Sequence, residues 1–224
     1  MDHLMEFDKI SFDYDGQTVL EEVSLSLRQG ERVALTGPMG AGKTTLLKLA
    51  LGLLKPSSGT IRMFGETLRS EKDFRGIRGR AGLLFQDSDD QLFCPTVLED
   101  VAFGPLNMGR SVEEAEDDAS EALLRVGLEG FERRITYRLS GGEKRLVALA
   151  TILAMKPDIL LLDEPSNGLD KTAYMRILEL LPSLPQSILI VSHDKRLIDT
   201  VATRRIVLDN ARVNDCASPD SIGD

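Results

Sequence analysis

The chain has 224 residues, of which 42% are hydrophobic and 28% charged, with 19 Gly and 9 Pro. That length suits one large domain or a domain with a smaller lobe, and the composition excludes a disordered or collagen-like protein. The balance of 27 Lys and Arg against 36 Asp and Glu gives a net charge of −9, which disfavours affinity built on neutralising many phosphates along a nucleic acid. Cys94 and Cys216 are too few and too far apart to suggest a disulfide framework or a structural zinc site, so a reducing compartment is expected. Met1 to Ile10 lacks the basic start and apolar core of a signal peptide, and no apolar run nears the roughly 18 residues of a membrane span. Work at a membrane is therefore expected to go through a partner.

In chain order, Phe7 to Phe12 and Val19 to Leu27 alternate apolar and polar residues around Asp15 and Gly16, which predicts an antiparallel hairpin that Gly59 to Phe64 joins. Near-continuous apolar runs at Arg32 to Thr36, Ala81 to Phe85, Asp158 to Leu162, Ser187 to Val191 and Arg205 to Leu208 predict strands of a parallel sheet buried on both faces. From Asp87 to Leu139 the pattern turns helical. Thr96 with Glu99 and Ser111 with Glu114 match the capping box, and the acidic run Glu113 to Glu121 reads as a solvated helix face. The expected organisation is α/β, one domain over 1–224, with a helical subdomain inserted at 87–143 and a loose tail over 214–224.

Gly37, Pro38, Met39, Gly40, Ala41, Gly42, Lys43 and Thr44 fit the pattern G-x-x-x-x-G-K-S/T between a strand and a helical stretch that starts through Thr45. Glycines let successive backbone N–H groups face inward, and the helix N-terminus adds positive potential, so the loop suits phosphate oxygens. Lys43 is expected to reach the β- and γ-phosphates and Thr44 to ligate Mg²⁺. A second buried strand ends in Asp163 and Glu164. Neighbours at a strand end point differently, so Asp163 can serve Mg²⁺ while Glu164 takes a proton from the attacking water.

Leu139, Ser140, Gly141, Gly142 and Glu143 stand directly before a long helical pattern. This stretch resembles the signature motif of ATP-binding-cassette (ABC) ATPases, and the resemblance extends over nearly the whole chain. It implies a P-loop NTPase (RecA-like) core with an N-terminal antiparallel β subdomain and an inserted helical subdomain, using ATP and Mg²⁺. It further implies that Ser140, Gly141 and Gly142 bind the γ-phosphate of a nucleotide held by a second ATPase subunit. Ser140 and Glu143 also form an ordinary capping box. On the same resemblance Gln86 is the Q-loop glutamine that senses Mg²⁺ and the attacking water. Ser166 to Asp170 is similar to the D-loop, with Asp170 near the nucleotide, His193 matches the switch histidine, and Tyr14 matches the aromatic that stacks on adenine.

The stretch from Gln86 to Asn107 is similar to that of ATPases from energy-coupling-factor and cobalt/nickel importers. The resemblance therefore implies an ATPase on the cytoplasmic face of the membrane, joined to an integral membrane transport subunit and binding no nucleic acid. There Asp89 and Asp90 would offer acidic contacts and Leu92 and Phe93 an apolar anchor. The chain departs from that group at Met39, Ser88, Glu143 and Asn167, where Asn, Pro, Gln and Ala are commoner. Many members run well beyond 224 residues, so a C-terminal dimerisation extension is expected to be missing. Two other readings fit less of the sequence. A soluble ABC ATPase of DNA repair or translation usually carries a long coiled coil or two cassettes, and a small-molecule kinase would leave Leu139 to Glu143 unexplained.

Overall fold

The computed structural model describes residues 3–216. In chain order its elements are β1 (His3–Tyr14), β2 (Gln17–Arg28), β3 (Arg32–Thr36), α1 (Lys43–Ala50), β4 (Ser58–Met63), β5 (Glu66–Leu68), α2 (Glu71–Ile77) and β6 (Ala81–Leu84). Then follow α3 (Val97–Asn107), α4 (Val112–Arg125), a short 3-10 turn (Thr136–Arg138), α5 (Gly141–Ala154), β7 (Ile159–Asp163), α6 (Lys171–Ser183), β8 (Ser187–Val191), α7 (Lys195–Val201), β9 (Arg204–Asp209) and β10 (Arg212–Cys216).

Two sheets organise the described residues. One is antiparallel, in the order β2-β1-β4-β5; the other runs β10-β9-β3-β8-β7-β6 and is parallel except for the β10–β9 pair. The parallel sheet is a wall between two cores. Val33, Leu35, Leu161 and Leu189 point to the core shared with α1 and the antiparallel sheet, while Ala34, Leu160, Leu162 and Ile188 point to the core built with the helices. Because side chains alternate along a strand, a strand buried on both faces reads as an unbroken apolar run.

The antiparallel lobe shows the other pattern, with two bulges. Met5 and Phe7 are buried, then the parity changes to Ile10 and Phe12, across a register shift at Lys9, whose φ is 51°. On β2 the parity changes between Leu20 and Val23, at Glu22 with φ 47°. Ser24 Oγ accepts from Lys9 N at 3.0 Å and Ser11 Oγ from Glu22 N at 3.1 Å, so a serine satisfies each bulged amide.

Between β6 and β7 the chain forms helices. Thr96 and Ser111 make reciprocal capping boxes with Glu99 and Glu114 at the starts of α3 and α4. Buried Asp100 accepts from the amides of Phe93 and Cys94 and, at 2.9 Å, from the Thr136 hydroxyl. That knot holds the strand-like contact between Thr96 and Ile135 and sets the chain just before Ser140 against α3.

Two expectations need correction. Asp118 is not on the solvated face of α4: it is buried, with Lys156 Nζ at 2.7 Å and Arg110 Nε at 3.1 Å. The expected loose tail starts too early at Asn214, because residues 214–216 complete β10 against β9. Its remainder, 217–224, lies outside the described residues.

Candidate nucleotide site

The loop after β3 leads straight into α1. Gly37 has φ 137°, and a Cβ there would lie 2.0 Å from the Leu208 carbonyl oxygen, so only glycine lets the loop pass β9. Gly42 caps α1 in the left-handed region with no side-chain cap bond, which leaves the first amides of the helix to face the loop. Lys43 Nζ donates to the Gly37 and Pro38 carbonyls at 2.8 Å each. Burial holds its pKa below the usual lysine value, against the opposing charges of Glu164 and Asp163.

Thr44 Oγ1 donates to Asp163 Oδ2 at 2.7 Å, so the hydroxyl in the first turn of α1 meets the carboxylate at the end of β7. Burial raises the Asp163 pKa, opposed first by that hydrogen bond and then by Arg145, Lys43 and Lys48. Glu164 has φ 46°, an uncommon backbone state for a non-glycine residue and one that clusters at functional sites. The turn aims its carboxylate at His193, with Oε1 3.4 Å from His193 Nε2 and Oε2 accepting from His193 N at 3.3 Å.

Tyr14, Met39, Gly40, Ala41, Gly42, Lys43, Thr44, Thr45, Gln86, Asp163, Glu164 and His193 share one cleft of about 550 Å³. Tyr14 is 47% exposed and stands edge-on to Phe12, with 4.8 Å between ring centroids. Met39 is 94% exposed at the mouth. A second cleft of about 650 Å³ adjoins the first, sharing Thr44, Gln86 and Asp163 and taking in Gly141 and Asp87.

Ser140, Gly142 and Asp170 line neither cleft. Ser140 caps α5: its Oγ accepts from Glu143 N at 3.2 Å while Glu143 Oε2 accepts from Ser140 N at 2.8 Å. Gly141 has open space where a Cβ would stand, whereas a Cβ on Gly142 would lie 3.0 Å from both Ala173 Cβ and Asp170 Oδ2. Asp170 caps α6, accepting from Thr172 N and Ala173 N. The chain thus presents two helix starts, α1 in the first cleft with no side-chain cap and α5 capped by Ser140, with Gly141 at the adjoining cleft.

Residues not anticipated from the sequence tie the region together. Arg145 on α5 is buried and donates to the carbonyls of Phe85, Asp163, Glu164 and Pro165. Gln91 bridges Phe85 N to α5, and Lys144 pairs with Asp89 at 2.5 Å. A signal existed for Arg145: helical spacing puts it on the face of Leu149 and Ile152, which are buried, and a buried guanidinium must find acceptors.

A family model described as "ABC transporter" matches residues 20–167. The energy-coupling factor transporter ATP-binding protein EcfA of Methanothermobacter thermautotrophicus is 44% identical over 215 residues, covering 94% of this chain and 69% of its own. Among solved structures, CbiO1 of Clostridium perfringens, part of the ABC transporter complex CbiONQ, superposes with a TM-score of 0.84 at 34% identity, over 96% of this chain and 88% of its own. The cassette MJ0796, in a dimeric post-hydrolysis state bound to ADP and Pi, superposes at 0.85 with 27% identity, over 94% and 98%. With both lobes accounted for by such relatives, the chain belongs to the ABC transporter family as an ATP-hydrolysing cassette.

Proposed function

We propose that this ATPase energises a membrane importer of the energy-coupling class, carrying cobalt or nickel ions or a vitamin-type solute, and that it works as a head-to-tail pair at the cytoplasmic face. The observation that carries the pairing is the separation of the two helix starts: α1 opens into the cleft, and Ser140 at α5 lies outside it. Gly141 reaches only the adjoining cleft, so a nucleotide seated at the α1 start would meet the Ser140 hydroxyl from a second chain. Each ATP would lie between Lys43 of one subunit and Ser140 to Gly142 of the other, with Asp170 holding α6 against Gly142 and Tyr14 stacking on adenine.

The Thr44 hydroxyl and the Asp163 carboxylate, 2.7 Å apart, are hard oxygen donors that fit Mg²⁺, which binds through one or two carboxylates plus substrate phosphates. When bound, Mg²⁺ neutralises charge on the phosphate oxygens. Lys43 then exchanges its two loop carbonyls for phosphate oxygens. Glu164 takes the proton of the attacking water on its carboxylate, Gln86 orients that water, and His193 holds the Glu164 carboxylate while facing the γ-phosphate.

No helix among the described residues is long and apolar enough to cross a membrane; in this reading a membrane subunit carries the solute. Of the residues expected at the docking surface, Asp90 and Phe93 are exposed, Asp89 is exposed but paired, and Leu92 is buried. Leu92 is inside the helical core and Asp89 pairs with Lys144, while Phe93, the other expected anchor, is 65% exposed and is joined by Phe103, 46% exposed, edge-on at 4.9 Å. That aromatic pair supports docking at residues 86–107. Phe93→Ser with Phe103→Ser should lose co-purification with the membrane subunit and keep ATP binding. Retained co-purification with normal solute uptake would contradict the docking site.

A further inference from the structure

Arg145 is the least accessible charged side chain among the described residues, 2% exposed, and all four of its acceptors are backbone carbonyls. Nε donates to Pro165 O at 3.3 Å, Nη2 to Asp163 O at 3.0 Å and to Glu164 O at 2.5 Å, and Nη1 to Phe85 O. One planar fork therefore joins the ends of β6 and β7 to a helix from a different part of the fold. Three of the four carbonyls belong to consecutive residues around Glu164, whose φ of 46° needs over-determining surroundings to persist. The Glu164 amide is fixed from the other side by the Val191 carbonyl at 2.8 Å.

The β6 end is held by α5 twice. Arg145 takes the Phe85 carbonyl, and the Phe85 amide donates to Gln91 Oε1 at 3.2 Å. Gln91 Nε2 in turn donates to Ala148 O and Thr151 Oγ1 at 2.8 Å each, both on α5. Phe85 immediately precedes Gln86, so the backbone on either side of the water site answers to one helix.

We propose that Arg145 is a positioning residue for ATP hydrolysis: it fixes the turn that aims Glu164 and makes that turn follow α5, the helix that Ser140 caps. Closure of a partner nucleotide onto the α5 N-terminus is thereby passed to the general base without a separate moving part. The inference rests on the assignment of Glu164 as the base. Lysine could keep the charge but not the planar fork that reaches both strand ends.

Arg145→Lys should lower kcat about 10- to 100-fold, the scale of a misplaced reacting group, with affinity for a non-hydrolysable ATP analogue held within about threefold. Added to Glu164→Gln, the same change should cost no more than about threefold in single-turnover hydrolysis, because the mispositioned base is already gone. A merely structural arginine would lower the folded fraction and leave the rate per nucleotide-binding molecule unchanged. Normal kcat per binding site in Arg145→Lys would overturn the inference, as would a cost that multiplies in full on the Glu164→Gln background. Failure of both Arg145→Lys and Arg145→Gln to give folded, ATP-binding protein would assign the residue to the fold and overturn it as well. Near-normal turnover by Glu164→Gln alone would remove the base assignment and the inference with it, a result distinct from those that strike Arg145 only.

Discussion

The starts of α1 and α5 use the same physics in different ways. At α1 the cap is Gly42, no side chain occupies the first amides, and a lysine stands beside them. At α5 the cap is Ser140, which shares a reciprocal box with Glu143, itself 3.0 Å from Arg134. The α1 start has amides that no side chain caps, and Lys43 Nζ spans the loop beside them by way of the Gly37 and Pro38 carbonyls. The α5 start is stable without a ligand and has only its outer face, at Gly141 and the serine hydroxyl proton, left to offer. A nucleotide should therefore bind first and most tightly at α1, and α5 should act as the closing surface supplied by a second subunit.

Removing the general base should freeze both sites together. Glu164→Gln should lower turnover by at least about 10²-fold, the usual contribution of a positioned general base, while ATP binding stays intact and ATP-dependent dimers accumulate. Phosphate release and sedimentation check this, and near-normal release would remove Glu164 from its role. Next, Lys43→Ala breaks the α1 side alone. It should weaken nucleotide affinity by about 10- to 100-fold, the worth of one or two hydrogen bonds to a charged group, as read by titration calorimetry.

Ser140→Ala breaks the α5 side. Nucleotide affinity of the isolated chain should be unchanged, hydrolysis should fall at least several-fold, and the lost cap should cost about 1 kcal/mol of stability. Weaker affinity in the monomer would place Ser140 in the same cleft as Lys43 and dissolve the contrast between the two helix starts.

The smallest effect concerns what steadies α5 at its far end, where Lys156 follows the helix and pairs with Asp118. The Asp118 pKa is held below the usual carboxylate value, first by the hydrogen bond from Lys156 and also by Arg110. Its stabilisation is therefore present above the ordinary carboxylate pKa of about 3.9 and is lost as pH falls through the lowered value. Asp118→Asn should cost about 1 kcal/mol near neutral pH, since both partners are half-exposed. The deficit should shrink as the medium is acidified below pH 4. Denaturant titrations at both pH values check the sign, and a deficit that grows in acid would contradict it.

What could be read from the sequence follows from how local each feature is. The P-loop, the Asp163–Glu164 pair and the capping box at Ser140 are short patterns whose physics is contained in neighbouring residues, so they were legible with their elements. The two-faced parallel strands were legible as unbroken apolar runs. The Arg145 fork, the Gln91 bonds to α5 and the Asp89–Lys144 pair join residues that are 18 to 60 positions apart, and no local pattern specifies such partners. β10 escaped because its hairpin turns through Asn210 and Ala211, at φ 49° and 63°. Positive φ at both positions suits a two-residue hairpin, but Asn-Ala is not the usual Asn-Gly signal. α2 opens on Ser70 and Asp73, a capping box with aspartate in place of glutamate, which the usual pattern passes over.

If one nucleotide needs α1 of one subunit and α5 of another, two crippled chains should repair each other on mixing. Lys43→Ala protein and Ser140→Ala protein should each hydrolyse ATP poorly alone. In a mixed dimer one site carries both defects and the other carries neither, so hydrolysis should rise well above that of either variant, in proportion to the mixed dimers seen by native mass spectrometry. Mixed dimers that form and stay as inactive as the separate variants would contradict it, and so would full wild-type turnover by a proven monomer.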